Sequence, residues 1–444
     1  MGHLNAIVFE TSLMKRVVII HYHLNPGGVT RIIESQVQAL RNFDPSLEIL
    51  VLTASCENPG LLKKSGADIR IEYRLNYLNE NTDYEVEYNA LHDFFSNTLR
   101  KDDILHVHNL NLGKNPVLTL VISELNSKGY PVVNHVHDFA EDRPPNYQFL
   151  ENVLKKISHR PVKEILYPCL ENIYYIVLNT SDKRKLTGLG VDIDKISVVP
   201  NPVILSSEYK KHDRDEVRLS IIQKLQLDKT KKIVTYPVRV IRRKNIGEFI
   251  LLAALFQDKA NWLVTQPPRN PLELKPYLEW KKFCDQKNIS VFFEVGILVD
   301  FESLILSSDF CITTSIKEGF GMVYMEPWLF EVPVIGRNLS NITPDLEGAG
   351  IVFPLLYPSI NVSWNKSVVD FATMSMTDQM QFVSNLVESS EKAEELFSQN
   401  DFLRKLLTSV DQNLIDKNKA IILKEFSLEN YAKRLAGIYQ KFTE

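Results

Sequence analysis

The sequence predicts an α/β protein made of two doubly wound domains, each a parallel sheet covered by helices on both faces. Two observations support this prediction. Short, continuous apolar runs alternate with longer helical patterns along most of the chain, which is typical of parallel strands buried on both faces. The length of 444 residues also suits two domains of roughly 200 residues each.

Each domain has its own set of predicted strands. The first set lies at Val17–His21, Glu48–Thr53, Ile104–His108, Val132–His137, Tyr174–Leu178 and Ile196–Val199. The second set lies at Ile233–Val238, Asn261–Thr265, Ser290–Val295, Asp309–Thr313, Val332–Ile335 and Ile351–Pro354. Beyond about residue 360 the pattern becomes helical and polar. The last predicted helix, Ser427–Phe442, starts with a serine that suits a helix cap.

Two prolines in Val199-Pro200-Asn201-Pro202 break both helix and sheet, so we place the domain boundary there. The first domain is predicted over residues 1–200, with 1–13 as an extension outside the fold. The second domain is predicted over 201–425, and a closing segment over 426–444.

Composition excludes several functional classes. A hydrophobic content of 44% with 24% charged residues is ordinary for a soluble globular protein. The net charge of −4 shows no basic bias, which argues against nucleic acid as a partner. No apolar run approaches the ~18 residues that a transmembrane helix needs, and the N-terminus lacks a signal-peptide pattern. The four dispersed cysteines favour reduced thiols. We therefore expect a cytoplasmic protein.

The most informative stretch contains two glutamates, Glu318 and Glu326, separated by seven residues. Gly319-Phe320-Gly321 follows the first and precedes a helix-like run, Met322–Phe330. This pattern predicts Glu318 in a turn and the amides of Gly319 to Gly321 at a helix N-terminus, where free N–H groups attract anions. Glu326 would lie about two turns further on, at ~1.5 Å per residue. Two acceptors around an anion site suit a sugar nucleotide.

Two basic residues follow the strand predicted at Ile233–Val238. Arg239 and Lys244 would leave the carboxyl end of that strand, the edge at which open α/β sheets bind ligands. A guanidinium fork and an ammonium there suit a diphosphate. Arg242 and Arg243 lie in the same basic cluster and are expected on the solvent face.

The residues do not predict a metal or a nicotinamide cofactor. His21 with His23, and His106 with His108, alternate on strands and share a face, but no zinc-type constellation follows them. Asp192-Ile193-Asp194 has the spacing of a metal-binding Asp-x-Asp, yet it lies in a predicted turn. Gly27-Gly28 lacks the full G-x-G-x-x-G pattern.

Taken together and in chain order, these motifs resemble those of the retaining family-4 glycosyltransferases of GT-B fold, from about Val17 to Tyr439. The matching segments are Gly27-Gly28, Asp103–His108, Val136-His137-Asp138, Val191–Pro202, Arg239 with Lys244, and Glu318 with Glu326. The resemblance implies two Rossmann-like domains facing a central cleft, with the C-terminal helix returning to the first domain. It implies metal-independent transfer of a sugar, with retention of configuration, from a UDP- or GDP-sugar to an unidentified acceptor. The nucleotide sugar is then a co-substrate, and no cofactor is expected.

The resemblance also implies roles for single residues. Arg239 and Lys244 would neutralise the leaving diphosphate, and Glu318 would face the transferred sugar. The remaining donor contacts would come from Gly27 and Gly28 over the phosphates, the amides of Gly319, Phe320 and Gly321, and Glu326 on the ribose. His137 would be the catalytic histidine on the acceptor side.

Two alternative functions remain, and the sequence departs from the family's pattern in the loop that contains Arg337. A nucleotide-sugar 2-epimerase of the same architecture would need an acid–base set that the sequence does not locate. An inactive GT-B scaffold would not need the basic pair and the glutamate pair together. Gly336–Thr343 replaces the family's small glycine-rich loop, and Arg337 within it is a candidate contact to donor or acceptor. The base, the sugar, the acceptor and the oligomeric state stay open.

Overall fold

The computed structural model describes residues 16–204 and 213–442, and the chain divides into two compact units. Unit 1 comprises Met1–Pro202 and Phe426–Glu444, and unit 2 comprises Val203–Glu425. The predicted N-terminal extension, 1–13, lies outside the described residues. Among the described residues, none of the helices combines the length and the apolarity needed to span a bilayer.

Unit 1 contains a seven-stranded parallel sheet in the order β3-β2-β1-β4-β5-β6-β7. Its strands are β1 (Arg16–Ile20), β2 (Glu48–Thr53), β3 (Asp68–Ile71), β4 (Asp103–His108), β5 (Val132–Val136), β6 (Ile173–Val177) and β7 (Ile196–Val198). Its first helices are α1 (Gly28–Phe43), α2 (Gly60–Lys64), α3 (Tyr84–Thr98), α4 (Pro116–Ser127), α5 (Pro144–Ile157), α6 (Val162–Leu166) and α7 (Thr180–Gly188). The strand order reverses between β1 and β4, which makes the sheet doubly wound.

Both faces of this sheet are buried. Val18 and Ile20 of β1 point into one core, while Val17 and Ile19 point into the other. Helix α1 covers the second face with Ile33, Val37 and Leu40, whose spacing puts them on one side of the helix. The six predicted strands of the first set are confirmed. Strand β3 was missed because it is a polar edge strand, with both of its terminal residues exposed.

Unit 2 contains a six-stranded parallel sheet in the order β10-β9-β8-β11-β12-β13. Its strands are β8 (Lys232–Arg239), β9 (Ala260–Gln266), β10 (Val291–Phe292), β11 (Phe310–Thr313), β12 (Val334–Arg337) and β13 (Leu356–Tyr357), and β14 (Asn361–Trp364) and β15 (Ser367–Asp370) form a hairpin. Its helices are α8 (Arg214–Leu225), α9 (Ile246–Leu255), α10 (Pro271–Lys287), α11 (Phe301–Ser307), α12 (Glu326–Leu329), α13 (Thr343–Gly348), α14 (Met376–Glu388), α15 (Ser390–Gln399) and α16 (Gln412–Glu425). Here the order reverses between β8 and β11.

The last part of unit 2 corrects two predictions. Residues 351–354 are not a strand; β13 begins at Leu356, and the N–H and C=O of Val352 are instead both hydrogen-bonded to the side chain of Asn418 on α16. Residues 361–370, predicted to be helical and polar, form the hairpin β14–β15. Its two-residue turn, Asn365-Lys366, has both φ angles positive, as a type I′ turn requires.

The final helix, α17 (Leu428–Gln440), belongs to unit 1. Ser427 caps it as predicted, since its side chain accepts a hydrogen bond from the amide of Asn430 at 3.1 Å. Leu435 and Tyr439 are fully buried among the apolar residues of α1 and β1. The GT-B expectation of a closing helix on the first domain is confirmed.

Candidate active site

The switch point of unit 2 lies at the carboxyl ends of β8 and β11, where ligands of open α/β sheets bind. Arg239 is the last residue of β8, and Lys244 ends the 3₁₀ turn that follows it. Glu318 lies in the loop after β11, which ends at Thr313. Three of the predicted site residues therefore come from the two loops at this one edge.

Glu318 is the centre of a cluster of cations. One of its carboxylate oxygens accepts from Lys244 Nζ and from Ser315 Oγ, the latter at 2.6 Å. The other accepts from Arg243 Nη1 at 3.1 Å. The carboxylate is buried, with 8% of the residue exposed. Burial lowers the pKa of Lys244, while the charge and hydrogen bond of Glu318 oppose that shift.

Arg243 was predicted to be a surface residue, and it is exposed, but its guanidinium contacts the site. Besides Glu318 it donates to the carbonyl of Lys317 at 3.0 Å. No spacing in the sequence separates it from Arg242, which is exposed and whose backbone amide donates to Glu273. Arg243 is thus a site residue that sequence reasoning missed.

Arg239 retains donors that the fold does not use. Its Nη2 donates to Gln266 at 3.3 Å, but its Nε is buried and has no hydrogen-bond partner within 16–204 and 213–442. Burial, followed by the nearby charge of Arg269, lowers the pKa of Arg239. A half-buried guanidinium without an anionic partner is suited to an anionic ligand.

The loop after Glu318 differs from the predicted helix. Residues 322–330 do not form one helix; Met322–Tyr324 is a 3₁₀ turn, and the four-residue α12 begins at Glu326. The two pieces are separate because Pro327 has no N–H to continue a helix from Val323. The amides of Gly319, Phe320 and Gly321 therefore precede a single 3₁₀ turn rather than a long helix, and any dipole contribution from that turn is small.

Gly321 is required by the fold. Its φ is +83°, and a Cβ there would lie 2.7 Å from Cγ2 of Ile342. Glu326 is half-buried at the first position of α12. Its charge, together with the larger effect of burial, raises the pKa of Cys311 on β11. Glu326 therefore lies beside the strand that leads to Glu318.

Gly27 and Gly28 lie in unit 1, after β1. Gly28 is the first residue of α1, and Gly27 precedes it with an extended backbone. A Cβ at Gly28 would meet nothing within 4 Å, and both glycines are exposed. Packing does not demand glycine here, and the donor role of this loop stays a prediction.

His137 follows β5 and belongs to a cluster of five histidines at the carboxyl edge of unit 1. His108 Nδ1 and His137 Nε2 are 2.9 Å apart, and His106 Nε2 and His135 Nδ1 are 3.1 Å apart. Burial is the largest cause that lowers the pKa of each member, to about 4 for His21, to about 3 for His106, and well below the usual value for His108, His135 and His137. The cluster is therefore neutral at pH 7.

Asn109 positions the backbone of this edge. Its side-chain oxygen accepts from the amides of His137 at 2.8 Å and Asp138 at 3.0 Å. Asn109 itself adopts a left-handed φ of +58°, which asparagine tolerates better than most residues. Sequence reasoning missed Asn109 and His135. The repeated His-x-His on β4 and β5 was the available signal.

Three of the histidines form a geometric candidate for a metal. Ligand atoms of His106, His108 and His135 lie within 4.8 Å of one another. However, five of their six ring nitrogens already have hydrogen-bond partners. A cation would have to displace those bonds. The other metal candidate, Asp192-Ile193-Asp194, is turn chemistry: Asp192 caps a 3₁₀ turn by accepting from the amide of Asp194.

Arg337 uses its donors inside unit 2. All five N–H groups of its guanidinium are used, on Glu248, on Asp370 and on the carbonyl of Pro358. Tyr357 adds a hydrogen bond to Glu248 at 2.9 Å. Only 5% of Arg337 is exposed. It therefore ties β12 to α9 and to the β14–β15 hairpin.

Comparison with known proteins agrees with this architecture. Residues 217–352 match the family model described as glycosyl transferases group 1. The structure of HepE from Anabaena in complex with UDP-glucose superposes with a TM-score of 0.60 at 13% identity, covering 96% of this chain and 99% of that one. The chain is a glycosyltransferase with the GT-B fold.

Two curated relatives come from Petrotoga mobilis. The mannosylglucosyl-3-phosphoglycerate synthase is 28% identical over 95% of this chain and 82% of its own length. The mannosylglucosylglycerate synthase is 24% identical over 75% of this chain and 86% of its own length. Both are named as synthases, which does not support the alternatives of an epimerase or an inactive scaffold.

Proposed function

We propose that this glycosyltransferase moves a sugar from a nucleoside-diphosphate sugar to a small anionic acceptor, with retention of configuration and without a metal ion. The observation that supports this most is the cluster at the switch point of unit 2, where Arg239, Arg243 and Lys244 lie at one sheet edge with Glu318. Arg243 and Lys244 both pair with Glu318, so this group keeps a net positive charge, and Arg239 adds a guanidinium at the end of β8 for a diphosphate.

The cations would act on the leaving group. As the bond between the sugar and the phosphate breaks, negative charge grows on the diphosphate, and fixed donors stabilise it without reorganisation. Nε of Arg239 has no partner among the described residues, and Lys244 can share its protons between Glu318 and a phosphate. These groups supply what a bound cation supplies in metal-dependent enzymes, so we expect no metal requirement.

Glu318 would have two effects. Its carboxylate holds Lys244 and Arg243 in place, and it would face the positive charge that develops on the transferred sugar. Glu326, at the start of α12, would accept hydrogen bonds from the ribose hydroxyls. The attraction between Glu318 and the charge on the sugar grows in the transition state. The hydrogen bonds of Glu326 to the ribose are the same in the ground state and the transition state.

For the acceptor we propose a phosphorylated or carboxylated glycoside, the class named in the products of both Petrotoga synthases. The carboxyl edge of unit 1 has cations for such a group. Lys114 Nζ lies 5.6 Å from the ring centre of Tyr77 and forms no ion pair with any residue that the structure describes. Arg143 forms an exposed ion pair with Asp138 at 2.9 Å, and its charge lowers the pKa of the same tyrosine against a larger rise from burial. His137 would receive the acceptor hydroxyl nearby.

The test is an assay of nucleoside diphosphate release in EDTA. GDP-mannose, UDP-glucose and ADP-glucose are offered with glucosyl-3-phosphoglycerate, with glucosylglycerate, or with neutral glucosylglycerol as the matched acceptor control. We expect turnover in EDTA with an anionic acceptor, little with glucosylglycerol, and a product whose anomeric configuration by proton NMR equals that of the donor.

Three results would contradict parts of this proposal. Loss of turnover in EDTA with recovery in magnesium would contradict metal independence, and a product of inverted anomeric configuration would contradict retention. Equal turnover of the charged and neutral acceptors would contradict the proposal of an anionic acceptor. For that last point, Lys114→Met should raise KM for the anionic acceptor and leave KM for the donor unchanged.

A further inference from the structure

Behind His137 lies a hydrogen-bond network that starts at Gln36 of α1. This side chain is completely buried. Its Oε1 lies 2.7 Å from His108 Nε2, and its Nε2 donates to Tyr439 Oη at 3.1 Å. Gln36 therefore joins the histidine cluster to α17 through one amide, which has an acceptor at one end and donors at the other.

The amide fixes where the protons of one branch lie. An amide oxygen only accepts hydrogen bonds, so His108 must have its proton on Nε2. Because His108 is neutral, its Nδ1 is then a lone pair. The contact of 2.9 Å with His137 Nε2 requires a proton on that nitrogen. His137 is also neutral, and its Nδ1 is left as an acceptor.

Nδ1 of His137 is available to a ligand. No group among the residues that the structure describes bonds to it, and His137 is partly exposed. The second branch ends elsewhere. It runs from Tyr439 Oη to His106 Nδ1 at 2.8 Å, and from His106 Nε2 to His135 Nδ1 at 3.1 Å. The last nitrogen, His135 Nε2, is buried without a partner in the described part of the chain. The two branches share only Gln36.

We propose that Gln36 is a positioning residue that holds the proton of His137 on Nε2, so that Nδ1 accepts a hydrogen bond from the hydroxyl of the sugar acceptor. The opposite orientation of the amide would reverse every bond in both branches and place a proton on Nδ1 of His137. The same ring would then donate to the acceptor oxygen rather than accept from the hydroxyl. The direction of one buried amide therefore determines which bond His137 makes. This inference rests on the acceptor-side role of His137 in the proposed function.

The first experiment uses the complete protein without any substrate. Long-range proton–nitrogen NMR on protein labelled with ¹⁵N-histidine distinguishes protonated from unprotonated ring nitrogens, and His137→Gln identifies the signals of His137. We expect a protonated Nε2 and an unprotonated Nδ1 at pH 7.5. A protonated Nδ1, or a mixture of both tautomers, would overturn the proposal.

The second experiment compares two variants. Gln36→Met keeps the shape of the side chain but removes both hydrogen bonds, so His108 and His137 should exchange between tautomers. We expect kcat to fall about tenfold, the lower end of the loss when a metal-bound histidine loses the partner that orients it, with KM for the donor unchanged. Tyr439→Phe is the matched control, because it removes a hydrogen bond from Gln36 and leaves the branch to His137 intact. It should keep the tautomer and keep kcat within about twofold, since its lost bond lies outside the path to His137.

An equal loss of kcat in both variants would attribute the effect to packing between α1 and α17 and would overturn the proposal. If Gln36→Met does not fold, the tautomer measured in the unchanged protein still decides. Full turnover in His137→Gln would instead contradict the role of His137 in the proposed function. The tautomer measured by NMR does not depend on that role.

Discussion

The carboxyl edges of the two sheets have related topology and different chemistry. In unit 1 the strand order reverses between β1 and β4, and in unit 2 between β8 and β11. At the first edge His21, His108 and His137 are neutral and bonded to one another or to the backbone. At the second edge Lys244 and Arg243 are paired with Glu318. The fold places both sites, and the side chains decide what each can bind.

Burial explains the difference. Among the described residues, no carboxylate hydrogen-bonds to these histidines, so burial favours their neutral form and lowers each pKa. Lys244 is also largely removed from water, but Glu318 offsets the loss of hydration. A neutral edge suits hydroxyl groups, whose bonds need a defined direction. A charged edge suits a diphosphate, whose charge increases as the donor breaks.

The largest effect is expected for the internal ion pair of unit 2. Arg337→Met should lower the free energy of unfolding of unit 2 by about 3–5 kcal/mol, because Glu248 is left buried without a counter-charge. All four tryptophans, at positions 262, 280, 328 and 364, lie in unit 2, so their fluorescence in urea follows that unit alone. Arg404→Met is the control: it breaks an exposed pair with Glu394 and should cost about 1 kcal/mol or less. Equal losses would contradict a structural role for Arg337.

The charged edge is tested next through its two glutamates. Glu318→Gln should lower kcat by a factor on the order of 10² or more, because the carboxylate acts mainly in the transition state. Nucleotide affinity should stay close to that of the unchanged enzyme. Glu326→Gln should mainly weaken donor binding. Calorimetry with the diphosphate, together with steady-state kinetics, separates the two. If the variants show the reverse pattern, the two roles are exchanged.

A smaller effect is expected for the ammonium at the same edge. Lys244→Ala should weaken binding of the nucleoside diphosphate by about 1.5–3 kcal/mol, the range for a hydrogen bond to a charged group. Arg242→Ala, which removes an exposed neighbour in the same turn, is the control and should change affinity little. Titration calorimetry with UDP and GDP measures both. Unchanged affinity in Lys244→Ala would exclude Lys244 from the diphosphate site.

The neutral edge is tested by pH, with the smallest expected effect. Burial lowers the pKa of His21 from 6.5 to about 4 in the folded protein. Below pH 6.5 the unfolded chain binds a proton at His21 that the folded chain does not bind. The free energy of unfolding therefore decreases as the pH is lowered. His21 alone should remove about 2 kcal/mol between pH 7 and pH 5. His21→Gln should reduce that pH-dependent loss by the same amount. Hydrogen exchange of unit 1 peptides measures it, and an unchanged pH dependence would contradict the assignment.

Much of this arrangement could be predicted from the sequence. Continuous apolar runs predicted the parallel strands, and the residues after Ile233–Val238 and Asp309–Thr313 were correctly expected at strand ends. Local pattern was insufficient where one residue changes the backbone. Pro327 divides the predicted helix Met322–Phe330, because its missing N–H outweighs a favourable apolar pattern. Asn418, 66 positions away, holds the backbone of Val352 outside the sheet.

The sequence by itself determined the order of strands and helices along the chain and which residue types end each strand, because apolar periodicity and turn chemistry are local properties. Only the tertiary structure decided which side chains contact one another. Lys244 meets Glu318 across 74 positions and Gln36 meets Tyr439 across 403. Those pairs exist because β11 lies beside β8 and α17 packs on α1. Which strands and helices become neighbours depends on how the whole chain buries its apolar surface, and no spacing within the sequence records it.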